Sequence, residues 1–430
     1  MAEIEVPRFF LCPISLQIMK DPVTTVTGIT YDRESIEQWL LVQKSKDCVC
    51  PVTKQPLPRD SNFLTPNHTL RRLIQGWCSA NESNGVDRIP TPRPPLDKSQ
   101  LQKLLKDLDA PRSFETSLKK IHDLATDSER NRNFMAEEGV PKAMVQFIIA
   151  RNSNQGETRC LEAAVRILRI LWRSSTSSSS SAAGGGGTNM KPLVGENLDL
   201  IKSLTWILQL PITDNDLINM VNEAMQILKL TIEITDSTLL GSLTHEFFKL
   251  IVSSIIRINK SSSMSQQNAI KSALHVLIET CPLGRNRIKI VESGAVTELI
   301  ELAIDKPTEK NLTELIFTLL AQLCSCAEGR EQFLNHPAGI AVVSKRTLRV
   351  SAATDDRALH VLWLISKFSG SNEVVQEMLR VGAVSKLCMV MQADCSSYLK
   401  EKARDILRFH SKAWNNSPCI QLYLLTRYPR

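Results

Sequence analysis

Aromatic residues are scarce in this chain. They fill 5% of its 430 positions, while hydrophobic residues of all kinds fill 43%. That imbalance disfavours a β-sandwich and suits a helical protein built on Leu and Ala. No apolar run approaches the roughly 18 residues that span a bilayer, so a membrane span is not expected. The opening residues Met1-Ala2-Glu3-Ile4-Glu5 are acidic and lack the basic and apolar regions of a signal peptide. The cysteines number 11, an odd count without a spaced framework. Reduced thiols in a cytosolic or nuclear protein are therefore expected. The formal charge of +7 is modest for this length. No basic helix with interleaved aromatics accompanies it, so nucleic acid is not an expected partner. Nor does any Cys-x2-Cys pair occur between Met1 and Ala80.

What is present in the first eighty residues is a series of short motifs. Phe10-Leu11-Cys12-Pro13-Ile14-Ser15-Leu16 comes first, followed by Asp21-Pro22-Val23, Thr30-Tyr31-Asp32-Arg33 and Trp39. Cys50-Pro51-Val52-Thr53-Lys54 and Pro66-Asn67-His68-Thr69-Leu70-Arg71-Arg72-Leu73-Ile74 complete the series. The β-branched run Val23–Val26, the Thr27-Gly28 turn and Ile29–Tyr31 predict a hairpin. Asp32 is expected to cap a helix carrying Ile36, Trp39 and Leu40 on one face. Asn67 is expected to cap a second, with Leu70, Leu73, Ile74 and Trp77.

In order and spacing these motifs resemble a U-box, the zinc-free relative of the RING domain in ubiquitin ligases. A zinc RING needs tetrahedral sets of Cys and His donors. The stretch offers only Cys12, Cys48, Cys50, His68 and Cys78. Hydrogen bonds and packing are expected to replace the metal, and no cofactor is expected.

Beyond this segment, Pro90-Thr91-Pro92-Arg93-Pro94-Pro95 leaves no room for a helix and marks a linker over 81–98. Residues 99–430 then read as helical. Leu312, Leu315, Ile316, Leu319, Leu320 and Leu323 form one continuous apolar stripe. Leu161, Ala164, Val165, Leu168 and Trp172 repeat the pattern, as do Val221, Ala224, Met225 and Leu228. Gly294, Gly339 and Gly382 recur at the armadillo period. Arg130, Arg285 and Arg330 each precede a glycine by the same interval. A glycine there is expected to break the chain sharply between two helices. The fold expectation is thus a mostly α protein: a small α+β U-box at 5–80, then an α-solenoid of five to seven repeats. A Ser/Gly insert at 174–188 is expected to be disordered. The whole resembles plant U-box E3 ubiquitin ligases with C-terminal armadillo repeats. The stretch from Asn415 adds little to that resemblance.

The resemblance implies a mechanism and a set of residues. A ligase either carries ubiquitin on its own cysteine or docks a charged conjugating enzyme. Cys48 and Cys50, near Lys44, Lys46 and Lys54, form the one crowded thiol pair of the first eighty residues, but no His lies close in sequence to serve as base. Docking is the expected mode. The family's pattern places Ile14, Leu16, Trp39 and Pro51 against the conjugating enzyme. It places Lys54 where a cation holds the ubiquitin thioester in an attack-ready pose. Expected partners are a ubiquitin-charged conjugating enzyme and protein substrates on the solenoid, with homo-oligomerisation left open. The resemblance also implies a role in plant defence, hormone or water-stress signalling. A non-catalytic armadillo adaptor is the alternative reading.

Overall fold

A computed structural model describes residues 6–427, apart from 43–47, 59–62, 83–85, 88–95, 111–112, 152–157, 179–197, 211–214, 260–263 and 306–308. The chain divides into two compact units, one ending at Asp97 and the other beginning at Lys98.

The first unit is built on a small antiparallel sheet. Strands β1 (Pro22–Thr24), β2 (Thr30–Asp32) and β3 (Thr65–Pro66) lie in the order β2-β1-β3. The expected hairpin is present with shorter strands, Val23 opposite Tyr31. Gly28 takes φ +79° at its tip, a conformation that side chains with a Cβ resist. The third strand was not legible: Pro66 cannot donate to the ladder and sits at the sheet edge. Two helices pack on the sheet, α1 (Arg33–Val42) and α2 (His68–Ala80). Asn67 caps α2 as expected, accepting the Leu70 N–H at 3.0 Å. Asp32 does something other than expected. Its Oδ1 accepts the backbone N–H groups of Lys20 and Asp21, both at 2.8 Å, and so ties the preceding loop to the start of α1. Asp21 in turn pairs with Arg33 at 2.7 Å and with Arg71 on α2. Phe10, Met19, Val23, Tyr31, Ile36, Ile74 and Cys78 form the core.

In the second unit, helix formation starts at Lys98, one residue before the expected boundary. Long helices stack as a ladder: Phe114–Asp127, Thr158–Ser178, Asn215–Ile234, Met264–Thr280, Lys310–Leu323, Ala352–Phe368 and Ser397–Phe409. A second ladder runs beside it through Val140–Ala150, Leu198–Gln209, His245–Asn259, Ala295–Asp305, Gly339–Arg346, Ala383–Gln392 and Pro418–Arg427. Each rung of the second but the last packs on the next rung of the first, giving six such pairs among the described residues, within the expected range of repeats. Each amphipathic rung covers its apolar stripe only by meeting its neighbours, which is the logic of a solenoid.

Successive repeats are also joined by cations that reach back to the preceding one. Arg257 donates to the carbonyls of Leu208 and, at 3.0 Å, Leu210. Lys289 reaches Leu243 O at 2.5 Å, and Arg346 reaches Ala303 O at 2.6 Å. Arg257 and Arg346 thereby meet carbonyls at helix C-terminal ends, where the last turn leaves acceptors unsatisfied and partial negative charge gathers.

Two expectations need correction. The repeat glycines are not equivalent. Gly139, Gly294 and Gly382 take φ of +86°, +82° and +76° between helices, as expected. Gly339 instead opens a helix, and a Cβ there would lie 2.4 Å from Phe333 O. It is glycine for lack of room, not for a sharp turn. The Thr158 helix continues to Ser178 and so covers the first residues of the stretch expected to be an insert from Ser174. Residues 179–188 lie outside the described residues, as do 83–85 and 88–95 of the expected linker.

A paired-loop candidate docking face

Two loops in the first unit, Cys12-Pro13-Ile14-Ser15-Leu16-Gln17 and Cys50-Pro51-Val52-Thr53-Lys54-Gln55, share the pattern Cys-Pro-x-Ser/Thr-x-Gln and one geometry. In the first, Cys12 N–H donates to Gln17 O and Leu16 N–H to Cys12 O, both at 2.8 Å. In the second, Cys50 N–H donates to Gln55 O at 2.8 Å and Lys54 N–H to Cys50 O at 3.0 Å. Isolated bridges, Leu11 with Ile18 and Val49 with Pro56, close the base of each. Such tight closure forces the fifth residue into the left-handed region: Leu16 at φ +56° and Lys54 at φ +60°. For a residue with a Cβ that conformation costs about 1–2 kcal/mol. Strain of this kind persists where the surroundings over-determine the backbone.

The surroundings here are built on sulfur. Cys12 Sγ accepts the Asp32 N–H at 3.3 Å. Cys50 Sγ shares a hydrogen bond with Tyr31 Oη at 2.9 Å and accepts from Thr27 Oγ1 and from the Thr53 N–H, both at 3.4 Å. Neighbouring residues of β2 thus fasten both loops. Burial pushes the Cys50 thiol up, but hydrogen bonds from Thr27, Thr53 and Tyr31 outweigh it and bring it down to about 6. Cys12 is lowered too, with burial opposed by the N–H groups of Ser15, Asp32 and Ile14. Tyr31 is raised by burial and then by Cys50. Cys12 and Cys50 are both fully buried, and Cys48 nearly so. Among the described residues, no group of three or more His, Cys, Asp and Glu is placed to hold a metal ion.

The expected site residues occupy different environments on this scaffold. Leu16 is 74% exposed at its loop tip. Ile14 is half-buried and rests on the core's edge. Pro51 is half-buried at the start of the second loop. Trp39 is half-buried, and its Nε1–H donates to Val49 O at 3.0 Å, tying α1 to the base of that loop. Lys54 is exposed, and its ammonium has no hydrogen bond or ion pair among the described residues. Sequence reasoning missed Tyr31 and Thr27 as the supports of Cys50, and Val52, 51% exposed beside Pro51. The repeated Cys-Pro-x-Ser/Thr-x-Gln phrase was the available signal.

The solenoid carries a separate exposed patch. Trp363 stacks on His360 at 6.2 Å and meets Phe368 at 6.2 Å and Phe409 at 6.3 Å. Lys367 lies 4.5 Å from the Trp363 ring, Arg330 5.1 Å from that of Phe368, and Lys402 4.4 Å from that of Tyr398. Phe368 and Tyr398 are each 56% exposed and Phe409 44%.

The family model for the U-box domain matches residues 6–83, and that for the plant U-box protein ARM repeat region matches 100–430. The chain belongs to the plant U-box family with armadillo repeats. It is a U-box E3 ubiquitin ligase, a ubiquitin transferase. E3 ubiquitin-protein ligase PUB23 of Arabidopsis thaliana is 40% identical, over 99% of this chain and 98% of that protein. PUB24 of the same organism is 41% identical, over 99% and 96%, and PUB22 is 38% identical, over 99% and 99%. A β-catenin structure from a study of its phosphorylation-switched interaction with cadherin superposes with a TM-score of 0.55 at 12% identity. It covers 84% of this chain and 63% of that one, a likeness of fold alone. The armadillo match continues past Asn415, further than the sequence reading gave it. Pro418–Arg427 is a helix packed on Ala383–Gln392.

Proposed function

We propose that the paired loops and α1 receive a ubiquitin-charged conjugating enzyme. Ile14, Leu16, Trp39 and Pro51 form the apolar contact, and Lys54 acts as the cationic clamp. The observation carrying this reading is the loop pair itself. Its sulfurs are spent on internal hydrogen bonds, while strained backbone holds Leu16 and Lys54 outward. Ubiquitin then passes directly between partners. The ε-amine of a substrate lysine attacks the thioester carbonyl, the C–S bond breaks, an isopeptide bond forms, and the conjugating enzyme's thiol leaves. No ubiquitin is carried on this chain, and the burial of Cys48 and Cys50 supports that. Lys54 contributes by holding the loaded enzyme in a closed pose, a positioning effect expressed in the transition state.

Substrates are held on the armadillo unit, with the Trp363 patch the most exposed aromatic surface offered to them. The relatives' names say only that they are E3 ubiquitin-protein ligases. A role in plant defence or stress signalling, and residence in the cytosol or nucleus, belong to this proposal.

The experiment is single-turnover discharge of a ubiquitin-loaded conjugating enzyme by folded variants. Ile14→Ala and Leu16→Ala should abolish discharge together with binding of the uncharged enzyme. Lys54→Ala should slow discharge about tenfold or more with binding nearly intact, and Lys54→Arg should restore it. Replacing Cys48 and Cys50 by Ser should leave appreciable transfer. A reducible ubiquitin adduct on this chain, lost with either cysteine, overturns the reading.

A further inference from the structure

At the far end of the armadillo unit, a cavity of about 330 Å³ opens between the Ser397–Phe409 and Pro418–Arg427 helices. Trp414 and Met391, both buried, and the half-buried Ile420 contribute apolar walls. Arg404 and Arg408, one turn apart on the same helix, stand in its lining, and both are exposed. Neither guanidinium has a hydrogen bond or ion pair among the described residues, although Glu401 and Asp405 share their helix. From Ile406 to Arg427 the chain carries Arg408, Lys412 and Arg427 and no acidic residue. The Pro418–Arg427 helix also exposes Leu422, Leu424 and Leu425, at 64%, 46% and 60%, and Leu424 is part of the cavity lining.

These features belong together. Free arginines are weakly hydrated forks suited to carboxylates. An apolar cavity beside them accepts one bulky side chain, the anchor-in-pocket arrangement that dominates interface energies. The local excess of positive charge selects an anionic visitor and rejects a basic one. We propose that this end of the solenoid is a docking site for an acidic segment of a partner protein. A Leu-, Phe- or Trp-sized side chain enters the cavity, and flanking Asp or Glu side chains pair with Arg404 and Arg408. The site is separate from the paired-loop face and from the Trp363 patch. It stands whether or not those serve as proposed.

The test uses the full chain and a displayed library of random short peptides. Peptides are selected on the wild type and counter-selected on R404E/R408E, two exposed positions whose reversal spares the core. The survivors should be rich in Asp and Glu around one large apolar residue. By fluorescence anisotropy, a survivor should bind R404E/R408E at least about tenfold more weakly, a difference near 1.4 kcal/mol. Replacing its large apolar residue by Ala should weaken binding comparably, and R404K/R408K should retain an intermediate affinity. The proposal is overturned if no peptide survives counter-selection, or if the survivors lack acidic residues. It is overturned in favour of a membrane surface if phosphatidylserine vesicles displace the peptides and bind with the same arginine dependence. It is overturned in favour of a second copy of this chain if wild type sediments as a dimer and R404E/R408E as a monomer. Autoubiquitination read alongside should be equal in wild type and variant. It reports on the paired-loop face, so failure there is visible apart from failure of the docking site.

Discussion

At the residue scale, Cys50 is the group whose surroundings say most. An acid whose folded-state titration lies low, about 6 against an ordinary 9.0, stabilises the fold as its anion. Its contribution is complete above 9.0 and is lost as pH falls through about 6. Tyr31 is displaced the other way from 10.0, so its contribution is present below that value and is lost at higher pH. Urea unfolding of the first unit should therefore shift to higher midpoints between pH 6 and 9.0, and Cys50→Ser should flatten that rise. Thiolate ultraviolet absorbance, wild type minus variant, should titrate near 6; a midpoint at 9.0 would remove the argument. Trp39 allows a finer dissection. Trp39→Phe keeps the ring but loses the bond to Val49 O and should cost about 1 kcal/mol. Trp39→Ala adds a packing defect and should approach the roughly 3 kcal/mol lower bound for deleting a large aromatic, since the ring is only half-buried. Cysteines, tyrosine and tryptophan were all visible in the sequence. Their partners were not, because Tyr31 and Thr27 lie 19 and 23 residues from Cys50 and only folding brings them together.

Periodicity governs what could be read at the scale of elements. The Leu312–Leu323 stripe and the Asn67 cap were legible, because each is settled within a few residues of chain. The Asp32 carboxylate was misassigned because a tertiary claim from Lys20 and Asp21 overrides a local preference. The glycines carry the same lesson and a measurable difference. At Gly382 an added Cβ meets nothing within 4 Å, so Gly382→Ala suffers only from its φ of +76°, about 1–2 kcal/mol. At Gly339 the Cβ would strike Phe333 O at 2.4 Å, which forces a helix to move; overpacking of that kind typically costs about 1–3 kcal/mol or more. Gly339→Ala should be the more damaging in denaturant unfolding, although its backbone conformation is the more ordinary. Equal losses would indicate that the helix gives way without strain. Arg257→Met removes the charged donor from the Leu208 and Leu210 carbonyls while keeping most of the stem. A loss of about 1.5–3 kcal/mol is expected, read by the same unfolding measurement.

For the whole molecule, the chain divides between Asp97 and Lys98, and the family matches end at 83 and resume at 100. The chain from Ser99 onward should fold alone as a helical protein and, on the function proposed above, capture substrate by itself. A soluble, folded fragment that captures nothing the full chain captures would refute this. A chelator should leave ligation and unfolding midpoints unchanged, since the loop sulfurs already hold protein donors. Where the Ser/Gly stretch leads could not be read, because composition alone sets no path. The backward reach of Arg257, Lys289 and Arg346 has one more consequence. In each case the donor lies later in the chain than the carbonyl it meets. A ribosome releases the acceptor first. Each new repeat therefore emerges with its docking partner already outside the exit tunnel, and the array can be completed at the pace of translation, without waiting for the stop codon.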